Sequence, residues 1–126
     1  MRYLVATDSV HTSAAACDYL GERLADGDAV VGVAVAETDG SDAERDRREA
    51  LNVFRVRLPG AGIETELRHG DTAAELRSAV DDHGADELVI GPRRGDPDAD
   101  PVLGGTARDL LADPTVPVTV VPLDGG

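Results

Sequence analysis

At 126 residues, 41% of them hydrophobic, the chain can bury one continuous core and leaves no length for a second domain. Its 25 acidic residues face 12 basic ones, all arginine, and a formal net charge of -13 at pH 7 repels phosphate backbones, so nucleic acid is not expected as a partner unless a local arginine cluster overrides the mean field. Aromatic residues are only 2% of the chain, which leaves the core to Val, Leu, Ile and Ala and offers few rings for stacking on bases.

An acid excess of this size suits a protein kept soluble in concentrated salt, where screening relieves its self-repulsion, so a halophilic source is expected. Cys17 is the single cysteine; it has no partner for an internal disulfide, and with three scattered histidines it gives no zinc spacing. No apolar run reaches the ~18 residues of a membrane span. The opening Met1 to Thr7 meets Asp8 too early for a secretory signal, so a cytoplasmic protein with no membrane partner is expected.

Tyr3 to Thr7 is an apolar run closed by Asp8, the pattern of a buried strand with a polar end. A helix follows, with Thr12 and Ser13 as candidate caps, Ala16, Leu20 and Leu24 as its inner stripe, and Gly27 as its stop. Ala29 to Ala36 is nearly all apolar and rich in Val, as in a strand covered on both faces. From Ser41 the composition is highly charged, but Leu51, Phe54 and Leu58 mark an amphipathic helix running to Pro59 and Gly60.

Ile63 to Arg68 alternates, predicting a strand with one wetter face that ends at His69-Gly70-Asp71. Thr72 is a candidate cap for a third helix lined by Ala73, Leu76 and Val80 and closed by Gly84. Leu88 to Ile90 is a further buried strand, and Gly91 to Gly105 is a long loop rich in Gly, Pro and Asp. A short helix over Thr106 to Ala112 and a last strand over Val118 to Pro122 complete the order β-α-β-α-β-α-β-α-β. That alternation predicts an α/β fold, a doubly wound five-stranded parallel sheet with helices on both faces. Its ligand crevice falls where the strand order reverses, at the carboxyl ends of strands, where Asp8, Gly70 and Gly91 stand.

Gly91-Pro92-Arg93-Arg94-Gly95, nine further residues, and then Gly105-Thr106 at a helix start form a candidate anion cradle. Glycines permit close backbone approach, amides at a helix N-terminus point at a phosphate, and the Thr106 hydroxyl and the two arginines add donors. Ordinary turn punctuation, and arginines that merely balance nearby acids, are the alternative accounts.

Over nearly its full length the chain resembles the universal stress protein family. The resemblance is carried by Leu4-Val5-Ala6-Thr7-Asp8 with Thr12 and Ala16, by Gly70-Asp71, by Leu88-Val89-Ile90-Gly91, by Gly95 to Gly105-Thr106, and by Pro117-Val118-Thr119-Val120-Val121. Three residues separate Gly91 from Gly95 where the family has two, and Val10 stands where a small hydroxyl residue is usual.

The resemblance implies an adenine nucleotide alpha hydrolase-like fold and a regulatory protein of the stress response that holds ATP. Asp8 would lie at the nucleoside end, Val35 would offer backbone groups to adenine, and Gly91, Gly95, Gly105 and Thr106 would surround ribose and phosphates, with Arg93 and Arg94 nearby. It also implies a homodimer through Val118, Thr119, Val120 and Val121. Asp96, Asp98 and Asp100 beside a triphosphate call for Mg²⁺ to bridge carboxylate and phosphate oxygens.

A calcium loop is excluded, because the sixth and twelfth places from Asp96 are Pro101 and Ala107. The Walker lysine is missing and no Rossmann glycine triplet follows the first strand. No base stands out to align water, so hydrolysis is expected to be slow or absent and no catalytic residue is assigned. Cys17 and His11 are read as core packing and a solvated loop residue. The alternative function is an interaction or signalling module of the same fold that binds no nucleotide.

Overall fold

The computed structural model describes residues 1–36, 41–58, 62–90 and 116–121. In chain order these form β1 (Arg2–Thr7), α1 (Val10–Gly21), β2 (Ala29–Ala36), α2 (Ser41–Arg57), β3 (Gly62–His69), α3 (Thr72–His83), β4 (Glu87–Ile90) and β5 (Val118–Val120). The expected helix over Thr106 to Ala112 lies outside the described residues.

The strands make one five-stranded sheet in the order β3-β2-β1-β4-β5, and every pairing is parallel. Central β1 pairs with β2 through Tyr3↔Val30 and with β4 through Tyr3↔Glu87. The chain moves outward from β1 to β3, then crosses back to β4 and β5 on the other side. Right-handed crossovers therefore put α1 and α2 on one face and α3 on the opposite one.

Side-chain alternation matches that division. Tyr3, Val5, Val30, Ala34 and Val89 pack with Ala16, Cys17 and Leu20 of α1 and Leu51 and Phe54 of α2. Leu4, Val31, Val33, Val35, Leu88 and Ile90 pack with Ala73, Leu76, Ala79 and Val80 of α3. Central strands covered on both faces explain the unbroken apolar runs of β1 and β2.

Helix ends depart from the expectation by a few residues. Ser9, not Thr12 or Ser13, caps α1: its backbone is extended and its hydroxyl accepts from the Thr12 amide. The helix stops at Gly21, short of Gly27; the Arg23 and Leu24 amides bond to the Leu20 carbonyl, and Gly27, at φ 90°, shapes the following turn. Leu24 still packs half-buried on the same cluster from outside the helix.

For α3 the cap is Asp71, not Thr72, since its carboxylate accepts from the Ala74 amide at 3.0 Å. Gly84 closes that helix as expected, in the left-handed conformation, with its amide donating to the Asp81 and Val80 carbonyls. α2 ends at Arg57, before the expected Pro59.

The only phenylalanine fixes α2 on the sheet. Phe54 is fully buried, and its ring lies against Gly32 in the middle of β2, where an added Cβ would sit 2.8 Å from ring carbon Cδ2. The strand accepts glycine's weaker propensity there because the ring needs the space. Cys17 is buried beside it, and desolvation pushes its thiol up to about 11, as expected of a reduced core residue.

Edge strand β3 turns Ile63 and Leu67 to the core and Glu64, Glu66 and Arg68 to the α3 side. There Arg68 bonds Glu66 at 2.6 Å and Asp82 at 2.7 Å, while the His83 ring meets Glu66 at 3.1 Å. Burial raises the Glu66 carboxyl, but the bonds from Arg68 and His83 outweigh it and hold the group below its ordinary value.

Gly32→Ala is expected to cost about 1–3 kcal/mol by overpacking. Combining it with Phe54→Leu, which withdraws the ring, should recover part of that loss, and urea denaturation of the single and double variants measures the coupling. Strictly additive losses would contradict the contact.

The folded Glu66 value lies below the unfolded one. Its contribution is therefore complete above the unfolded value of about 4.3 and is lost as pH falls through the folded value. Stability measured on acidification below pH about 5 should fall less steeply in Glu66→Gln than in the wild type.

Candidate functional site

The strand order reverses between β2 and β4, so the carboxyl end of β1 lies at a crevice between the ends of β2 and β4. Asp8 is the first residue beyond β1 and is exposed; Val35 is the penultimate residue of β2 and is buried. The fold thus brings these two sequence-selected residues to the same end of the sheet. Gly91, Arg93, Arg94, Gly95, Gly105 and Thr106 lie outside the described residues.

Hydroxyl groups hold the turn after β1. The Ser13 hydroxyl donates to the Ala50 carbonyl of α2 at 2.7 Å and takes a bond from Thr7 at 2.6 Å. The Ser9 carbonyl, 3.0 Å from the Thr7 hydroxyl, shares the single Thr7 hydrogen with Ser13. A second chain runs from the Ser9 hydroxyl to Thr12 at 3.0 Å, and from Thr12 to the Asp8 carboxylate at 3.2 Å. Thr7, Ser9, Thr12 and Ser13 are all buried and satisfied by internal bonds, while the Asp8 side chain is exposed. Thr12, expected as a helix cap, instead orients that carboxylate.

Arg47, which sequence reasoning did not select, spans the ends of both strands. From α2 its guanidinium donates to the Asp8 carbonyl at 2.9 Å and to the Val35 carbonyl at 3.3 Å. Carbonyl direction alternates along a strand, and the Gly70 amide takes the Ala36 carbonyl toward β3, so the Val35 carbonyl turns toward β1. The β1–β2 register ends at Thr7↔Ala34, because Ser9 is committed to capping α1. Arg47 supplies the donor that the ladder lacks.

The remaining candidates carry less chemistry. His11 is exposed at the start of α1. His69 bonds Glu44 at 2.9 Å, linking the end of β3 to α2. Among the described residues no group of His, Cys, Asp and Glu is arranged to hold a metal, and no helix is long and apolar enough to cross a membrane.

The fold is shared with solved structures. A universal stress protein from Archaeoglobus fulgidus, in complex with dAMP, is 21% identical, with 96% of this chain and 97% of that chain covered and a TM-score of 0.69. A universal stress protein family protein from Arabidopsis thaliana, with AMP bound, is 17% identical over 99% of this chain and 93% of that one, with a TM-score of 0.75. A universal stress protein in complex with cAMP is 19% identical, with 98% of each chain covered and a TM-score of 0.74. No curated protein matches the chain. The model of the universal stress protein family matches residues 1–122, and with the order β3-β2-β1-β4-β5 this places the chain in that family.

Proposed function

We propose that this protein is a nucleotide-binding regulator of the stress response that holds ATP, or another adenine nucleotide, at the carboxyl ends of β1 and β4, with slow or no hydrolysis. The observation that carries the reading is the crevice itself: an exposed carboxylate at Asp8 and a buried strand's carbonyl at Val35 flank the point where strand order reverses. An exposed carboxylate suits ribose hydroxyls, and a strand-end carbonyl suits an amino group on a base. Relatives solved with dAMP, AMP and cAMP support the choice of ligand class.

In this reading Gly91, Gly95, Gly105 and Thr106 cradle the phosphates, Arg93 and Arg94 supply positive charge, and Mg²⁺ accompanies a triphosphate. Cytoplasmic location belongs to the same reading.

The protein acts as a homodimer through its last strand. β5 is the sheet edge beyond β4, and the Val121 amide bonds inward to the Ile90 carbonyl. Alternation then turns the backbone groups of Val118 and Val120 outward. A two-fold axis pairs two such edges antiparallel and relieves the exposed edge.

Titration calorimetry with AMP and ATP, with and without Mg²⁺ and at high salt, tests the ligand. Binding is expected, weakened about tenfold in Asp8→Ala by loss of a charge-assisted bond. No heat at millimolar nucleotide would favour the interaction module instead.

Val120→Pro removes an outward amide without touching the bond at Val121, so size-exclusion chromatography with light scattering should find a monomer in place of a dimer. A wild-type monomer would refute the seam.

A further inference from the structure

We infer that Arg47 is a positioning residue that sets the base preference of the crevice, an inference that rests on the nucleotide-binding reading above. Its guanidinium bonds two main-chain carbonyls, Asp8 at 2.9 Å just beyond β1 and Val35 at 3.3 Å near the end of β2, which are joined by no sheet pairing. A planar cation with several donors in a fixed fork suits such a bridge; a flexible point charge does not.

The bridge decides what the end of β2 presents to a ligand. With Arg47 in place, the Val35 carbonyl is held toward the β1 side of the crevice, and the single bond from Arg47 occupies one lone pair and leaves the other for a ligand donor. A 6-amino purine brings a donor to that oxygen. A 6-oxo purine brings an acceptor, and the two oxygens repel. Without Arg47 the Val35 carbonyl loses its only described side-chain partner. The pairing of Ala36 with β3 still holds the peptide in the sheet, but the oxygen can tilt and take a water in place of the base, so it discriminates less between amino and oxo groups. Arg47 therefore acts on the base through the backbone and need not touch the ligand.

Calorimetric titration of AMP and of IMP into wild type, Arg47→Met and Arg47→Lys tests this. Arg47→Met retains the aliphatic stem, and ligand-free thermal melting establishes that it folds. Wild type should prefer AMP. Arg47→Met should lose about tenfold in AMP affinity and most of the AMP preference over IMP, the size of effect expected for one bond to a charged group. Arg47→Lys, which can hold one carbonyl, should recover part of the preference.

An unchanged AMP affinity in a folded Arg47→Met protein, or an equal loss for AMP and IMP, would overturn the assignment while leaving nucleotide binding intact. A wild type silent to both nucleotides would overturn the binding reading and this inference together. Should Arg47→Met fail to fold, the comparison passes to Arg47→Lys, where an unchanged AMP-to-IMP ratio overturns the assignment and a narrowed one supports it.

Discussion

The placement of β1 governs this molecule. It is the first strand in sequence and the middle strand in space, with β2 and β4 on its two sides. A central parallel strand must bury both faces, and right-handed crossovers can cover both only if the chain leaves β1 in one direction and returns in the other. That single reversal sets α1 and α2 against one face and α3 against the other. It also sends the connection out of β1 and the connection into β4 to opposite faces, the arrangement in which open parallel sheets form a crevice at the strand ends before any side chain is chosen.

The same reversal creates a local problem at the end of β1. The chain must leave the sheet at once to start α1, and Ser9 is used for the cap, so the β1–β2 ladder stops while β2 continues to Ala36. An acceptor on a buried strand end is then left facing a gap, which is costly unless a donor arrives. The hydroxyls of Thr7, Ser9, Thr12 and Ser13 satisfy the turn itself, and Arg47 reaches the strand-end carbonyls from α2. Family membership explains the fold; this particular solution is written in the chain's own residues.

Elements with strong periodicity were legible in the sequence. Ala29–Ala36 shows its full extent as an apolar run, and the stripe of Leu51, Phe54 and Leu58 identifies α2 despite the charge around it. Caps were read a few residues late, because Ser9 and Asp71 are followed closely by Thr12, Ser13 and Thr72, whose hydroxyls compete as cap candidates in sequence and differ only in backbone conformation. Asp8 and Val35 could be chosen because strand ends are visible as the ends of apolar runs. Arg47 could not, since α2 also carries Arg45, Arg48, Arg55 and Arg57, and no spacing rule separates the one that turns inward to two carbonyls from those on the surface.

What does separate it is the geometry of the helix on the sheet. Arg47 and Phe54 are seven residues apart, about two turns, so they lie on one side of α2 and are displaced by roughly 10 Å along its axis. Their partners on β2, Val35 and Gly32, are three residues apart, roughly 10 Å along a strand. The two spacings agree, and the order is reversed, as it must be for a helix running back across a parallel sheet. Seating the Phe54 ring on Gly32 therefore carries Arg47 to the level of Val35. The glycine that admits the only phenylalanine into the core and the arginine that completes the crevice are two ends of one registration, which links the packing of an aromatic-poor core to the shape of the site above it.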